Sequence, residues 1–234
     1  MKRRVVITGM GAVTPLGNNL AELWLGVREG RCGIGPISGW DASGQKEKLA
    51  AEVRNLDVPA FIPKGEARKM ARFTQLGLIA AMEAFRQSGI TAENTNLERC
   101  GVIVSSGIGG LPVIEEEHSK GLQKGWDRIS PYFIPMSITN MAAGTIAIKL
   151  GLRGMCSSVV SACASGSNAI GDAFRQVRDG YADAMVCGGT ESAITPLAVG
   201  GFSSMRALHE GDDPNRASIP FDKELSGFVM GEGA

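Results

Sequence analysis

Val159-Val160-Ser161-Ala162-Cys163-Ala164-Ser165-Gly166-Ser167-Asn168-Ala169 sets a nucleophilic side chain between a β-branched run and a helix start. Working outward, residues 157–161 are expected to form a strand, residues 164–178 a helix and residues 184–187 a second strand. Strand, helix, strand at this spacing is a βαβ unit, which requires parallel strands with helices covering the sheet. The fold class is therefore α/β. Cys163 falls at the carboxyl end of its strand, where open α/β sheets place their active sites. The following helix aims its free N–H groups and the positive end of its dipole at the sulfur, which favours thiolate over thiol. Ala162, Ala164 and Gly166 let a thioester approach the backbone, and the N–H of Cys163 can face an oxyanion.

Upstream, residues 4–8 read as a buried β-branched strand, and Asn18 or Asn19 as the cap of a helix closed by Gly30. A helix is expected over residues 66–88, closed by Gly89, because Met70, Phe73, Leu76, Ala80 and Ala84 form one apolar stripe. Residues 101–105 read as another buried strand leading into Gly107-Ile108-Gly109-Gly110. Residues 111–124 read as a helix with Glu115, Glu116 and Glu117 at solvent, and residues 137–150 as a small-residue helix. Residues 227–234 look like a strand. No internal repeat or linker divides residues 1–234, so one domain is expected.

Composition narrows the function. Of 234 residues 44% are hydrophobic, and 24 Lys plus Arg balance 24 Asp plus Glu. A net charge of zero gives no global field for nucleic acid or an anionic membrane, and no apolar run is long enough to span a bilayer. Glycines and Pro15 interrupt the apolar run after Lys2-Arg3-Arg4 too early for a signal peptide. Five cysteines without a CxxC pair and two separated histidines, His118 and His209, point to reduced thiols in a cytoplasmic protein and to no metal. Cys32, Cys100, Cys156 and Cys187 are expected to be buried structural residues. Gly9-Met10-Gly11 begins like a dinucleotide fingerprint, but its third glycine would fall at Thr14, and Pro15 breaks the helix start. No cofactor is implied.

Val160-Ser161-Ala162-Cys163-Ala164-Ser165-Gly166 resembles the active-site motif of the β-ketoacyl-acyl carrier protein synthases, condensing enzymes of the thiolase-like fold. The segments Arg4 to Gly17, Ser106 to Gly110, Gly151 to Gly154, Gly188 to Glu191, Pro220 to Asp222 and Gly227 to Ala234 resemble further family motifs in the same order. The subgroup resembled is the type II, long-chain synthase. The resemblance implies a mostly parallel sheet covered by helices, forming the N-terminal half of a fold whose second half lies beyond residue 234. It also implies that Cys163 takes an acyl group from acyl carrier protein before condensation with a malonyl group. Two histidines and a lysine that the condensation requires match nothing here, so this chain alone is not expected to condense. By the same resemblance Ile108 lies at the floor of the acyl pocket, although physical reading alone would make it a core residue. The resemblance also implies that Phe202 is a gate, which the flanking Gly200 and Gly201 would let move, and that Phe133 lies in a segment reaching toward the partner of a homodimer. Physical reading alone would make Lys64, Arg68, Lys69 and Arg72 a solvated basic face, while the resemblance implies that Arg68 and Lys69, with Arg206, dock the acidic carrier protein. The alternative is a non-catalytic fragment or a chain-length-type partner subunit, the latter a class that lacks the cysteine.

Overall fold

Residues 100–105 present no polar side to water, and in the computed structural model, which describes residues 2–234, they form the middle strand of the sheet. In chain order the elements are α1 (Leu20–Arg28), β1 (Gly35–Pro36), β2 (Leu49–Ala50), α2 (Lys64–Ala67), α3 (Arg72–Ser88) and β3 (Cys100–Ser105). There follow α4 (Leu111–Lys124), α5 (Phe133–Ser137), α6 (Met141–Leu150), β4 (Cys156–Ser157), α7 (Ser165–Arg178), β5 (Ala184–Gly189) and α8 (Pro196–Ser204). The sheet order is β4-β3-β5, with both neighbours parallel to β3, while β1 and β2 form a separate antiparallel pair. The βαβ unit read from the sequence is present, but its strands are not adjacent. The crossover through α7 passes over β3, and β4 is only two residues long.

All six residues of β3 are buried, and alternation sorts their side chains between two layers. Val102 and Val104 join Ala184 and Val186 against α3 and α6. Ile103 joins Met185 and Cys187 on the opposite side, under Ala169 and Ala173 of α7. The buried residues of α7 are Ser165, Ala169 and Ala173, a spacing of four that makes one narrow stripe. Small residues along it bring α7 close to the sheet and so fix where its first turn stands.

The helix expected over residues 66–88 is broken. Ala71 is extended at φ −66°, ψ 159°, which separates α2 from α3. Nε2 of Gln75 donates to the carbonyls of Ala67 and Met70, at 2.9 and 3.1 Å, and satisfies acceptors that the break releases. Gly89, at φ 69°, closes α3 as expected. Ile138 is extended as well, so the helix expected from residue 137 starts at Met141, with α5 before it.

Residues 4–8 are not a buried strand. Val6 is 61% and Ile7 80% exposed. The segment that follows takes its hydrogen bonds from α3 side chains: Met10 N–H donates to Gln87 and Ala12 N–H to Glu83. Gly9 and Gly11 allow this, because a Cβ at either would collide with the carbonyl of Ala84 or Ala80. The two glycines therefore serve a close approach to a helix rather than a phosphate loop.

Residues 227–234 also depart from a regular strand. They run as a strap, with single bridges from Phe228 to Leu208, Gly231 to Ala51 and Gly233 to Glu191. Ala234 and Val13 exchange both backbone hydrogen bonds, at 2.9 and 2.8 Å. Glu232 anchors the strap. Its carboxylate accepts from Val53 N–H at 2.9 Å, from the Arg72 guanidinium at 3.1 and 3.3 Å, and from the Ser192 hydroxyl at 2.6 Å.

At the opposite end of the sheet Asp183 receives Arg99 and Arg3, at 2.8 and 2.7 Å. The Arg99 hydrogen bond and then that of Arg3 hold its carboxyl at about 2, below the ordinary 3.8. A carboxyl lowered in the folded state stabilises above its unfolded value, and that contribution fades as pH falls through the folded one. Asp183→Asn is therefore expected to flatten the loss of stability between about pH 4 and pH 2. Denaturant melts at stepped pH read this directly, and an unchanged acid limb contradicts it.

Candidate active site

Cys163 occupies a 3₁₀ turn, Ala162–Ala164, which passes into α7 through Ser165 at φ −54°, ψ −45°. Ala162 itself is left-handed at φ 52°, so the right-handed path into α7 begins at Cys163, and the first N–H groups of such a path, that of Cys163 among them, have no acceptor within it. The thiol side chain is exposed. Two contacts place the turn at the carboxyl ends of β3 and β5. Val159 N–H donates to Ser105 Oγ at 2.9 Å, and a Cβ on Gly166 would stand 3.1 Å from Gly189 Cα. A larger side chain at either glycine would lift the helix start off the sheet.

The loop after β3 lies against this turn. A Cβ on Gly107 would be 3.2 Å from the Ala162 carbonyl oxygen. Glu191, two residues past β5, holds that loop: Oε2 accepts from the N–H groups of Gly107 and Ile108 at 2.9 and 3.0 Å, and Oε1 from the Ser106 hydroxyl at 3.1 Å. Ile108 is 36% exposed at the strand end, so the physical expectation of a core residue fails there. Gly110 N–H donates to Ser137 O at 3.0 Å and ties the same loop to α5, whose first residue, Phe133, is half-buried against the main core. The structure thus joins the segments carrying Cys163, Ile108 and Phe133 through one glycine loop.

Phe202 is placed differently. It lies in α8 with Gly200 and Gly201, so these glycines are helical rather than a mobile loop. Its ring meets Phe228 edge-on, with centroids 5.3 Å apart, inside a separate apolar cluster with Val199, Leu208 and Met230.

Arg68 and Lys69 are exposed just beyond α2, and Lys69 Nζ stands 5.3 Å from the Tyr132 ring centroid. Glu66, the acid of α2, is taken by Lys149 at 2.6 Å. Arg72 leaves the basic cluster, because its guanidinium turns inward to Glu232 and the Val53 carbonyl. Arg206 is exposed with a left-handed φ of 54°, on a cavity of about 630 Å³ lined also by Lys46, Ser203, Glu210 and Ser226.

Of the remaining cysteines, Cys100 and Cys187 are shielded, and burial pushes their thiols and that of Cys156 up. Cys32 and Cys156 are exposed, contrary to the expectation that all four are buried. The acidic run is not wholly at solvent either: Glu117 is 8% exposed and accepts from Ser130 N–H and Lys120. His118 packs on Trp126 with centroids 5.9 Å apart, and His209 Nδ1 lies 2.8 Å from Ser226 Oγ. Among the described residues no three His, Cys, Asp or Glu side chains converge as metal ligands, and no helix is long and apolar enough to cross a membrane.

Sequence reasoning named Glu191 only as the end of a family motif and missed its role in holding the loop. A carboxylate two residues past a half-buried, glycine-ended strand, with no basic neighbour in sequence, has backbone N–H groups as its available partners.

This arrangement has relatives. The profile described as "Beta-ketoacyl synthase, N-terminal domain" matches residues 2–234. The chain is 51% identical to the 3-oxoacyl-(acyl-carrier-protein) synthase 2 of Synechocystis sp., covering 100% of this chain and 56% of that protein. Among solved structures, a beta-ketoacyl synthase from Burkholderia phymatum superposes with a TM-score of 0.87 at 30% identity, over 100% of this chain and 57% of the other. A type II PKS acyl-carrier protein in complex with its ketosynthase bound to the hexaketide gives 0.86 at 29% identity, with the same coverage. The chain therefore spans somewhat more than half the length of the proteins it matches. It belongs to the β-ketoacyl synthase family and carries the thiolase-like α/β fold of that family's N-terminal domain.

Proposed function

We propose that Cys163 is the acyl-accepting nucleophile of a β-ketoacyl-acyl carrier protein synthase of fatty-acid elongation. The observation that carries this is an exposed thiol at the amino end of a continuous helical path, beside the Gly107-Ile108 loop. In the transfer step the Cys163 sulfur attacks the thioester carbonyl of an acylated carrier protein. The new Cys163 S–C bond replaces the carrier's, the carrier sulfur leaves, and the Cys163 proton ends on it. Charge on the carbonyl oxygen is met by the Cys163 N–H. Ile108, Phe133 and Phe202 are proposed to contact the acyl chain. Decarboxylative condensation with malonyl-carrier protein is proposed to follow this transfer, drawing on two histidines and a lysine that match nothing within residues 1–234. The full-length protein is proposed to be a homodimer, and five unpaired cysteines fit a reducing cytoplasm.

The acidic carrier is proposed to meet Arg68, Lys69 and Arg206. Incubation with an acylated carrier protein, followed by mass analysis of the intact chain and its peptides, is expected to place one acyl group on Cys163. No adduct, or an adduct on another residue, contradicts the reading. Reversing both Arg68 and Lys69 to glutamate is expected to slow that transfer about tenfold at low ionic strength. The difference should shrink as salt rises toward about 0.5 M, where screening acts within a few ångströms. A salt-independent effect would show that the two cations do not steer docking.

A further inference from the structure

We infer that Ser165 is a positioning residue whose hydroxyl holds Ala162 in the left-handed bend that presents Cys163. The inference rests on the reading of Cys163 as nucleophile and extends it to how the thiol is aimed. Ala162 has φ 52°, a region that a residue with a Cβ rarely adopts because the Cβ crowds a carbonyl oxygen. Something must hold it there. Ser165 is 3% exposed, and its Oγ accepts from Ser161 N–H at 2.9 Å while donating to the Ala162 carbonyl at 2.6 Å. One buried hydroxyl therefore bridges both sides of the bend. Asn168, three residues along the same side of α7, donates to Ser161 Oγ at 2.5 Å and fastens the bend a second time.

The bend cannot relax freely toward the neighbouring loop, since the Ala162 carbonyl already stands against Gly107. Losing the Ser165 hydroxyl leaves the Ser161 N–H without its acceptor, while the Ala162 carbonyl keeps only the Ser165 backbone N–H. The left-handed state then competes with ordinary backbone conformations, and Cys163 leaves its place at the head of the helix.

The test is the rate at which iodoacetamide alkylates Cys163 in the native chain, read peptide by peptide. Ser165→Ala is expected to slow Cys163 about fivefold to tenfold, the population shift that an unfavourable left-handed residue implies. Adding Ala162→Gly is expected to bring the rate back to within about twofold of the parent, because glycine adopts positive φ without a Cβ to crowd. A general packing defect at position 165 would not be repaired by that second change. An unaltered rate in Ser165→Ala, or a slow rate that Ala162→Gly fails to restore, overturns the inference. Should Ser165→Ala not fold, hydrogen exchange in the parent decides. The Ser161 amide is expected to be protected, and exchange at the unprotected rate overturns the clamp. A parent Cys163 no faster than exposed Cys32 and Cys156 would remove the nucleophile reading, while a fast parent with an equally fast Ser165→Ala would remove the clamp alone.

Discussion

Cys163→Ala is expected to abolish transfer of an acyl group from carrier protein to the chain, a loss of at least about a thousandfold for removal of a covalent nucleophile. Cys163→Ser is expected to fall nearly as far, because a hydroxyl near its free pKa needs an adjacent base to become reactive. Both changes remove or replace one exposed atom, so thermal stability should stay close to that of the parent. Acyl incorporation followed by mass spectrometry checks the first effect and a thermal melt the second. Incorporation into Cys163→Ala at the parental rate would move the chemistry to another residue.

The second large effect is on stability and lies at Glu232. Its carboxylate joins four donors from three segments: Val53 N–H, both ends of the Arg72 fork and the Ser192 hydroxyl. The Glu232 side chain is 10% exposed and that of Arg72 33%. Replacing the carboxylate with an apolar group leaves an ion and two neutral donors without their acceptor. Fully buried pairs cost about 3–5 kcal/mol when one partner is removed, and the partial exposure of Arg72 lowers the expectation for Glu232→Leu to about 2–3 kcal/mol. Glu232→Gln keeps an acceptor oxygen and should lose less. Equilibrium unfolding in urea measures both. A cost below about 0.5 kcal/mol, the usual size for an exposed pair, would show that the strap is not held at this point.

The elements around Cys163 were legible because their signals are local. A β-branched run, small residues and a helical stripe sit side by side in the chain, and α7, β3 and β5 stand close to where the pattern puts them. What stayed hidden depends on partners distant in sequence. Residues 4–8 have strand composition, yet Glu83 and Gln87 of α3 engage the backbone that follows, so the segment pairs with no strand. The stripe through residues 66–88 is continuous, but Gln75 supports a break at Ala71 that hydrophobic periodicity does not register. Cys156 reads as interior from its type, while its place on an edge strand of two residues leaves it exposed. At the site itself Cys163, the glycine loop and the Gly188 to Glu191 segment were visible as motifs. The role of Glu191 in holding the loop was not, because its four acceptor contacts include N–H groups more than eighty residues earlier.

The helix-head thiol is tested most directly by alkylating the folded protein with limiting iodoacetamide and measuring each of the five cysteines separately. Cys163 should react first, outpacing Cys32 and Cys156 although they too meet solvent, with Cys100 and Cys187 slowest behind their burial. Cys163 reacting no faster than exposed Cys32 would contradict it.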